Sequence, residues 1–126
     1  MEDMKRKIAI VGSRDFASLE LVDALISKLN KDEHEIVSGG AISVDTQAQD
    51  TAVLNGFDIQ IFYPDWSLGK AAGLSRNTQI VEYADDVYVF YNGKSKGTLD
   101  TMKKAVKAGK FRRVFNEYED AKDIIP

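Results

Sequence analysis

The sequence predicts an α/β protein: a single-domain, Rossmann-like three-layer α/β/α sandwich with a mainly parallel sheet of about five strands. Three observations point there. Short apolar runs alternate along the chain with segments whose apolar residues recur at helical spacing. Four glycine-bearing segments follow, or lie just beyond, those runs: Gly12-Ser13-Arg14-Asp15, Gly39-Gly40-Ala41 with Asp45 beyond it, Gly69 to Asn77, and Gly93 to Thr98. The 126 residues suffice for one hydrophobic core, whereas a closed α/β barrel needs about twice that length.

Each element has its own signal. Ile8 to Val11, closed by Gly12, reads as a buried parallel strand. Leu21, Val22, Leu25, Ile26 and Leu29 then fall at helical spacing, with Asp15 or Ser18 as candidate caps. Glu35 to Ser38 is a second strand, ended by Gly39-Gly40. Val44, Ala48 and Ala52 lie on one face of a second helix that stops at Gly56. Ile59 to Tyr63 forms a third strand, and Pro64 ends it. A loop with Trp66 leads to a third helix whose expected inner face is Leu74, Ile80, Val81 and Ala84. Val87 to Tyr91, dense in β-branched and aromatic residues, is a fourth strand. The fourth helix is expected to turn Leu99, Met102 and Val106 inward and to end at Gly109, with lysines 103, 104, 107 and 110 near its negative end. Val114 and Phe115 mark a fifth strand, and residues 117–126 add a short helix or edge segment. The whole chain, 1–126, reads as one domain without a linker or repeat.

Composition excludes several chemistries. There is no cysteine, which removes disulfides, thiol catalysis and cysteine-zinc sites. His34 is the only histidine, so a histidine metal cluster is excluded as well. No metal and no cofactor are expected. The formal net charge of −3 gives no reason to expect duplex nucleic acid, and nucleic acid is not the expected partner. The charged N-terminus leads straight into a short apolar run, unlike a signal peptide, and no apolar stretch approaches the ~20 residues that span a bilayer. A soluble, cytoplasmic protein with no membrane partner is expected.

In an open α/β sheet the loops after the strands converge on one edge, where helix N-termini also point. Loops carrying Arg, Lys, Ser, Thr and Asp there suggest one site for a phosphorylated small molecule. Gly12 permits close backbone approach, Ser13 and the next amides could hold a phosphate, and Arg14 could clamp it in bidentate fashion. Gly39, Gly40 and Ala41 can present amides as an anion nest. Asp45 near a helix start is a cap, a ribose ligand or, if buried, a general base. Lys70, Arg76 and Asn77 crowd the start of the third helix, and Trp66 either stacks on a base or joins the core. Ser95, Thr98 and the amides around Gly97, with Lys96 beside them, could hold a phosphate. Tyr63 and Tyr91 end strands on the same edge. Gly93-Lys94-Ser95 is not a P-loop, because Tyr88 stands where that motif needs glycine. Gly12 alone does not make the dinucleotide fingerprint, which requires two further glycines.

Taken together, Gly-Ser-Arg-Asp-Phe at 12–16, Gly-Gly-Ala…Val-Asp at 39–45, Pro-Asp-Trp at 64–66, Gly-Lys-Ala-Ala-Gly-Leu-Ser-Arg-Asn at 69–77 and Lys-Gly-Thr at 96–98 resemble the YspA/YpsA-related branch of the SLOG superfamily. The resemblance spans most of the chain. It implies a Rossmann-like fold and a site for a nucleotide or nucleotide-derived signalling molecule, ADP-ribose-like or cyclic. Ser43 departs from the branch, which usually has glycine there. The pattern of the phosphoribohydrolase branch is also missing.

The expected function is therefore a sensor or sequestering protein for such a ligand, in keeping with phage–bacteria conflict or anti-phage defence. Arg14, Arg76 and the Gly39-Gly40 and Gly97-Thr98 loops would bind phosphate, and Asp45 and Asn77 would orient the sugar. The alternative is an N-glycosidase acting on nucleoside monophosphates or ADP-ribose derivatives, with Asp45 as the catalytic carboxylate and Asp15 next. A third class, single-stranded DNA binding, is suggested by a DNA-uptake relative in the superfamily, and the acidic balance weighs against it. A homo-oligomer is expected.

Overall fold

The computed structural model describes residues 4–126. Five strands form one parallel sheet: β1 (Arg6–Gly12), β2 (His34–Ser38), β3 (Asp58–Ile61), β4 (Asp86–Phe90) and β5 (Phe111–Phe115), in the order β3-β2-β1-β4-β5. Four helices connect them: α1 (Glu20–Ser27), α2 (Val44–Leu54), α3 (Ala72–Tyr83) and α4 (Lys96–Lys107). A 3-10 segment, Trp66–Ala71, precedes α3 and a second, Ala121–Asp123, lies near the chain end. The expected three-layer sandwich is the observed fold.

Alternation along the strands divides the core in two. Ile8, Ile10, Ile36, Tyr88 and Phe90 face α1 and α2. Ala9, Val11, Val37, Val87 and Val89 face α3 and α4. β4 is buried along its whole length, which explains its apolar, β-branched sequence. Chain order turns back between β1 and β4, so the loops after these adjacent strands lead to opposite faces. Their carboxyl ends define the topological switch point where open α/β sheets bind ligands.

Four local expectations need correction. Leu74 and Val106 are 50% and 58% exposed. The inner faces use Asn77, Ile80 and Val81 on α3, and Thr98, Thr101 and Ala105 on α4. Asn77, Thr98 and Thr101 line the cleft at the carboxyl edge of the sheet, and apolar periodicity cannot reveal a face that includes such residues. Neither Asp15 nor Ser18 caps α1, which has no side-chain cap. The Ser18 hydroxyl donates to the Glu117 carbonyl (2.7 Å), while Asp15 accepts from Asn92. The chain end folds back, with Ile124 buried in the α1–α2 layer. No helix among the described residues is long and apolar enough to cross a membrane.

Candidate functional site

At the carboxyl edge of the sheet the loops enclose a cleft of about 570 Å³. Of the residues expected there, Gly12, Arg14, Gly40, Ala41, Asp45, Trp66, Arg76, Asn77, Ser95, Gly97 and Thr98 line it. Ser13 and Gly39 are buried behind the wall, while Lys70 and Lys96 are exposed outside it. The sequence reading did not name Val11, Ile42, Pro64, Gly73, Ile80 and Thr101 as site residues, yet they line the cleft as well. Thr101 had a usable signal: it lies one turn after Thr98 on the helix that the Ser95–Thr98 loop starts.

The floor is built around Asp45, in the first turn of α2 and 4% exposed. Its Oδ2 accepts from the Gly39 and Ala41 amides, both at 3.2 Å. Its Oδ1 is buried and makes no hydrogen bond of good geometry, although the Gly12 amide also faces the carboxylate and favours its charged form. Burial raises the carboxyl pKa to about 6 against the opposing pull of the Ala41 amide and the Arg76 charge. The Gly39-Gly40-Ala41 turn does present amides, but two of them already bind this carboxylate. The expected anion nest is thus partly filled by the protein itself.

Arg76 stands over this floor. Its guanidinium donates to the Gly39 carbonyl and to Asn77 Oδ1. Burial pulls its pKa below the usual arginine value, Asp45 opposes that shift, and Arg14 adds to it. Among the described residues no ion pair joins Arg76 to Asp45. Asn77 donates to the Gly97 carbonyl (3.2 Å) and to Asp100 Oδ2 (3.1 Å), so its amide ties α3 to the start of α4. It was expected to orient a sugar; every polar atom of its amide instead has an internal partner.

The β1 and β4 loops are tied in the same way. Ser13 is fully buried, and its hydroxyl accepts from the Asn92 amide (3.2 Å). Ser95 caps α4 by accepting from the Thr98 amide (3.2 Å) and hydroxyl (2.9 Å). Gly12 is dictated by packing, because a Cβ there would lie 2.7 Å from both the Phe90 carbonyl and the Val44 side chain.

The rim differs. Trp66 is 69% exposed and Tyr63 is 65% exposed, and both line the cleft. Tyr63 also covers Gly40, where an added Cβ would meet its ring at 2.5 Å. Arg14 is exposed and makes no ion pair or side-chain hydrogen bond among the described residues.

Comparison with known proteins places this geometry. The profile of the DNA recombination-mediator protein A family matches residues 1–65. The gene 61 protein of Mycobacterium phage D29 is 35% identical over 114 residues, covering 82% of this chain and 91% of that protein. The chain belongs to the DNA recombination-mediator protein A family. DNA processing protein A from Streptococcus pneumoniae superposes with a TM-score of 0.70 at 29% identity, over 89% of this chain and 50% of that one. The Helicobacter pylori protein, whose structure is described for its single-stranded DNA binding mode, gives 0.68 at 25% identity, over 90% of this chain and 66% of that one. This chain therefore spans about half and about two-thirds of those solved chains.

Family membership corrects the branch. The shared glycine loops belong here to the DNA processing protein A branch, not to the YspA/YpsA-related one. The small-molecule sensor, the sequestering protein, the anti-phage role and the N-glycosidase alternative are overturned by the same family membership. The argument against nucleic acid also fails. Net charge averages over the whole surface, whereas a strand responds to the groups along its own path. The common fold and loop pattern explain the misassignment: residues that shape the edge of the sheet do not identify what lies on it.

Proposed function

We propose that the cleft binds single-stranded DNA, with Arg14 and Arg76 beside the backbone and bases stacked on Trp66 and Tyr63. The observation that carries this reading is the rim: two exposed aromatic rings and an unpaired arginine border one cleft at the switch point of the sheet. Proteins that bind single strands combine a positive groove with aromatic platforms, because every base offers a π-face. Lys70, Lys94 and Lys96 add positive charge in the adjoining loops. Family membership and the single-stranded DNA binding mode of the Helicobacter pylori relative support the same partner. Stacking on Trp66 requires unpaired bases, so a duplex of equal length should compete poorly.

Trp66 is the only tryptophan, so its emission reports on this site alone. Titration with an oligo-dT strand should quench that emission and raise the anisotropy of a labelled strand in parallel. The logarithm of affinity should fall with the logarithm of salt, by about 0.7 per phosphate neutralised, and Arg14→Ala should lower that slope by about 0.7. Absence of binding at low salt would sink the proposal. Binding that leaves the Trp66 emission unchanged would move the DNA to another surface.

A further inference from the structure

Resting on the single-stranded DNA reading, we propose that Asp45 is a positioning residue that fixes the Gly39–Ala41 turn beneath Arg76 and takes up a proton when a DNA phosphate binds there.

The geometry carries this. Asp45 is buried at the bottom of the cleft, one carboxylate oxygen holds two backbone amides, and the other has no partner. Arg76 is anchored to the same turn through the Gly39 carbonyl, so the turn fixes both the carboxylate and the cation above it. A phosphodiester beside Arg76 brings a second anion to a cation whose field already includes Asp45. Two anions in a poorly solvated pocket disfavour each other, and only the carboxylate can neutralise near neutral pH. The unpartnered oxygen is where the proton goes. Burial has already raised this carboxyl to about 6, so a modest further rise reaches the physiological range.

The charged and titratable groups around Asp45 are few. Arg76 comes from α3, Arg14 from the β1–α1 loop and Tyr63 from the segment after β3. α4 contributes exposed Lys96 and Asp100, the latter paired with Lys104 at 2.8 Å. The ends of β1 and β2 offer no charged group, only Ser38 and the Gly12 amide, which favours the charged carboxylate. The sole histidine, His34, starts β2 at the opposite edge of the sheet.

The test is the pH dependence of oligo-dT binding between about pH 5 and pH 8, where thymine does not titrate. Proton uptake is read by calorimetry in buffers of different ionisation enthalpy. Wild-type binding should tighten about tenfold towards the acid end, the factor produced by a one-unit rise of a carboxyl pKa on binding, with measurable proton uptake. Asp45→Asn keeps an oxygen for both amides but carries no charge. It should bind at the acid-limit affinity at every pH and take up no proton. Asp45→Ala loses the acceptor and should bind more weakly throughout, while His34→Gln should keep the wild-type profile. A flat wild-type profile with intact binding, or an Asp45→Asn protein that keeps the wild-type slope, overturns the inference. If wild-type protein binds no oligo-dT at any pH, the single-stranded DNA reading itself fails, which is a different result.

Discussion

The floor and the rim of the cleft are built on opposite principles. On the floor, Asp45, Asn77 and Thr98, with Ser13 behind them, are buried, and their polar groups are largely bonded within the protein. On the rim, Arg14, Tyr63 and Trp66 stand in solvent over the same space. A buried polar group left without a partner costs about 1–3 kcal/mol, so a floor of this kind must be satisfied from inside the fold. Exposed rings and cations need no such partner and remain available to a ligand. On the proposed reading the floor sets shape and field, and the rim makes contact. Substitutions on the floor should move stability or pH dependence, and affinity through the turn they hold, whereas those on the rim should move affinity alone.

The largest expected break of this contrast is Gly12→Ala. The new methyl would meet the Phe90 carbonyl and Val44 at 2.7 Å, and backbone on one side cannot yield. Overpacking of this kind should destabilise by about 3 kcal/mol, read as a lower urea midpoint at unchanged slope. A loss well below that would mean that Gly12 serves close ligand approach and not helix packing.

Asp45→Asn should act with the opposite sign. The folded-state pKa of about 6 lies above the ordinary value of 3.8, so the folded chain holds this proton more tightly than the unfolded one. The stabilisation from Asp45 is therefore complete below pH 3.8 and is lost as pH rises through about 6. At neutral pH the ionised carboxylate carries a cost on the order of 3 kcal/mol, by the usual 1.36 kcal/mol per pKa unit. Asparagine avoids it while still accepting from the Gly39 and Ala41 amides. The variant should gain up to that much at neutral pH and close to nothing in acid. An equal effect at both pH values would remove the electrostatic explanation.

The rim should respond in affinity. Trp66→Ala is expected to weaken oligo-dT binding by about 1–3 kcal/mol, the usual worth of one stacked base. Its exposure predicts a stability change within about 0.5 kcal/mol. A comparable loss of stability would show that the ring belongs to the floor.

Much of this was legible in the sequence. Short apolar runs with glycine ends gave the strands, and Val44, Ala48 and Ala52 gave the inner face of α2, all three fully buried. The loops brought together most of the cleft. Less legible was which polar residues point inward for structural reasons. Asn77 and Thr98 resemble ligand groups in sequence, yet each is tied to a neighbouring loop across the switch point. Those ties join distant parts of the chain and leave no local pattern. Leu74 and Val106 were misplaced because apolar periodicity is blind to a helix face built from Thr98, Thr101 and Asn77. The argument from net charge against nucleic acid failed because net charge hides where charge sits.

The smallest predicted effect tests a feature joining both regions. Ser43, at the entry to α2, has φ +70° and ψ −111°, and it is the only non-glycine residue with positive φ among the described residues. Side chains adopt that conformation at a cost of about 1–3 kcal/mol, whereas glycine adopts it readily. The Ser43 side chain accepts no capping bond to set against this cost. Glycine loses more freedom on folding, by about 0.5–1 kcal/mol, so the net gain for Ser43→Gly is about 1 kcal/mol. Ser43→Ala keeps the Cβ and should leave stability within about 0.5 kcal/mol of wild type. The pair separates backbone strain from any service of the hydroxyl. If alanine alone destabilises, the serine oxygen supports the turn; if glycine alone stabilises, the strain at the entry to Asp45 is real and is held by the packing of α2 on Gly12.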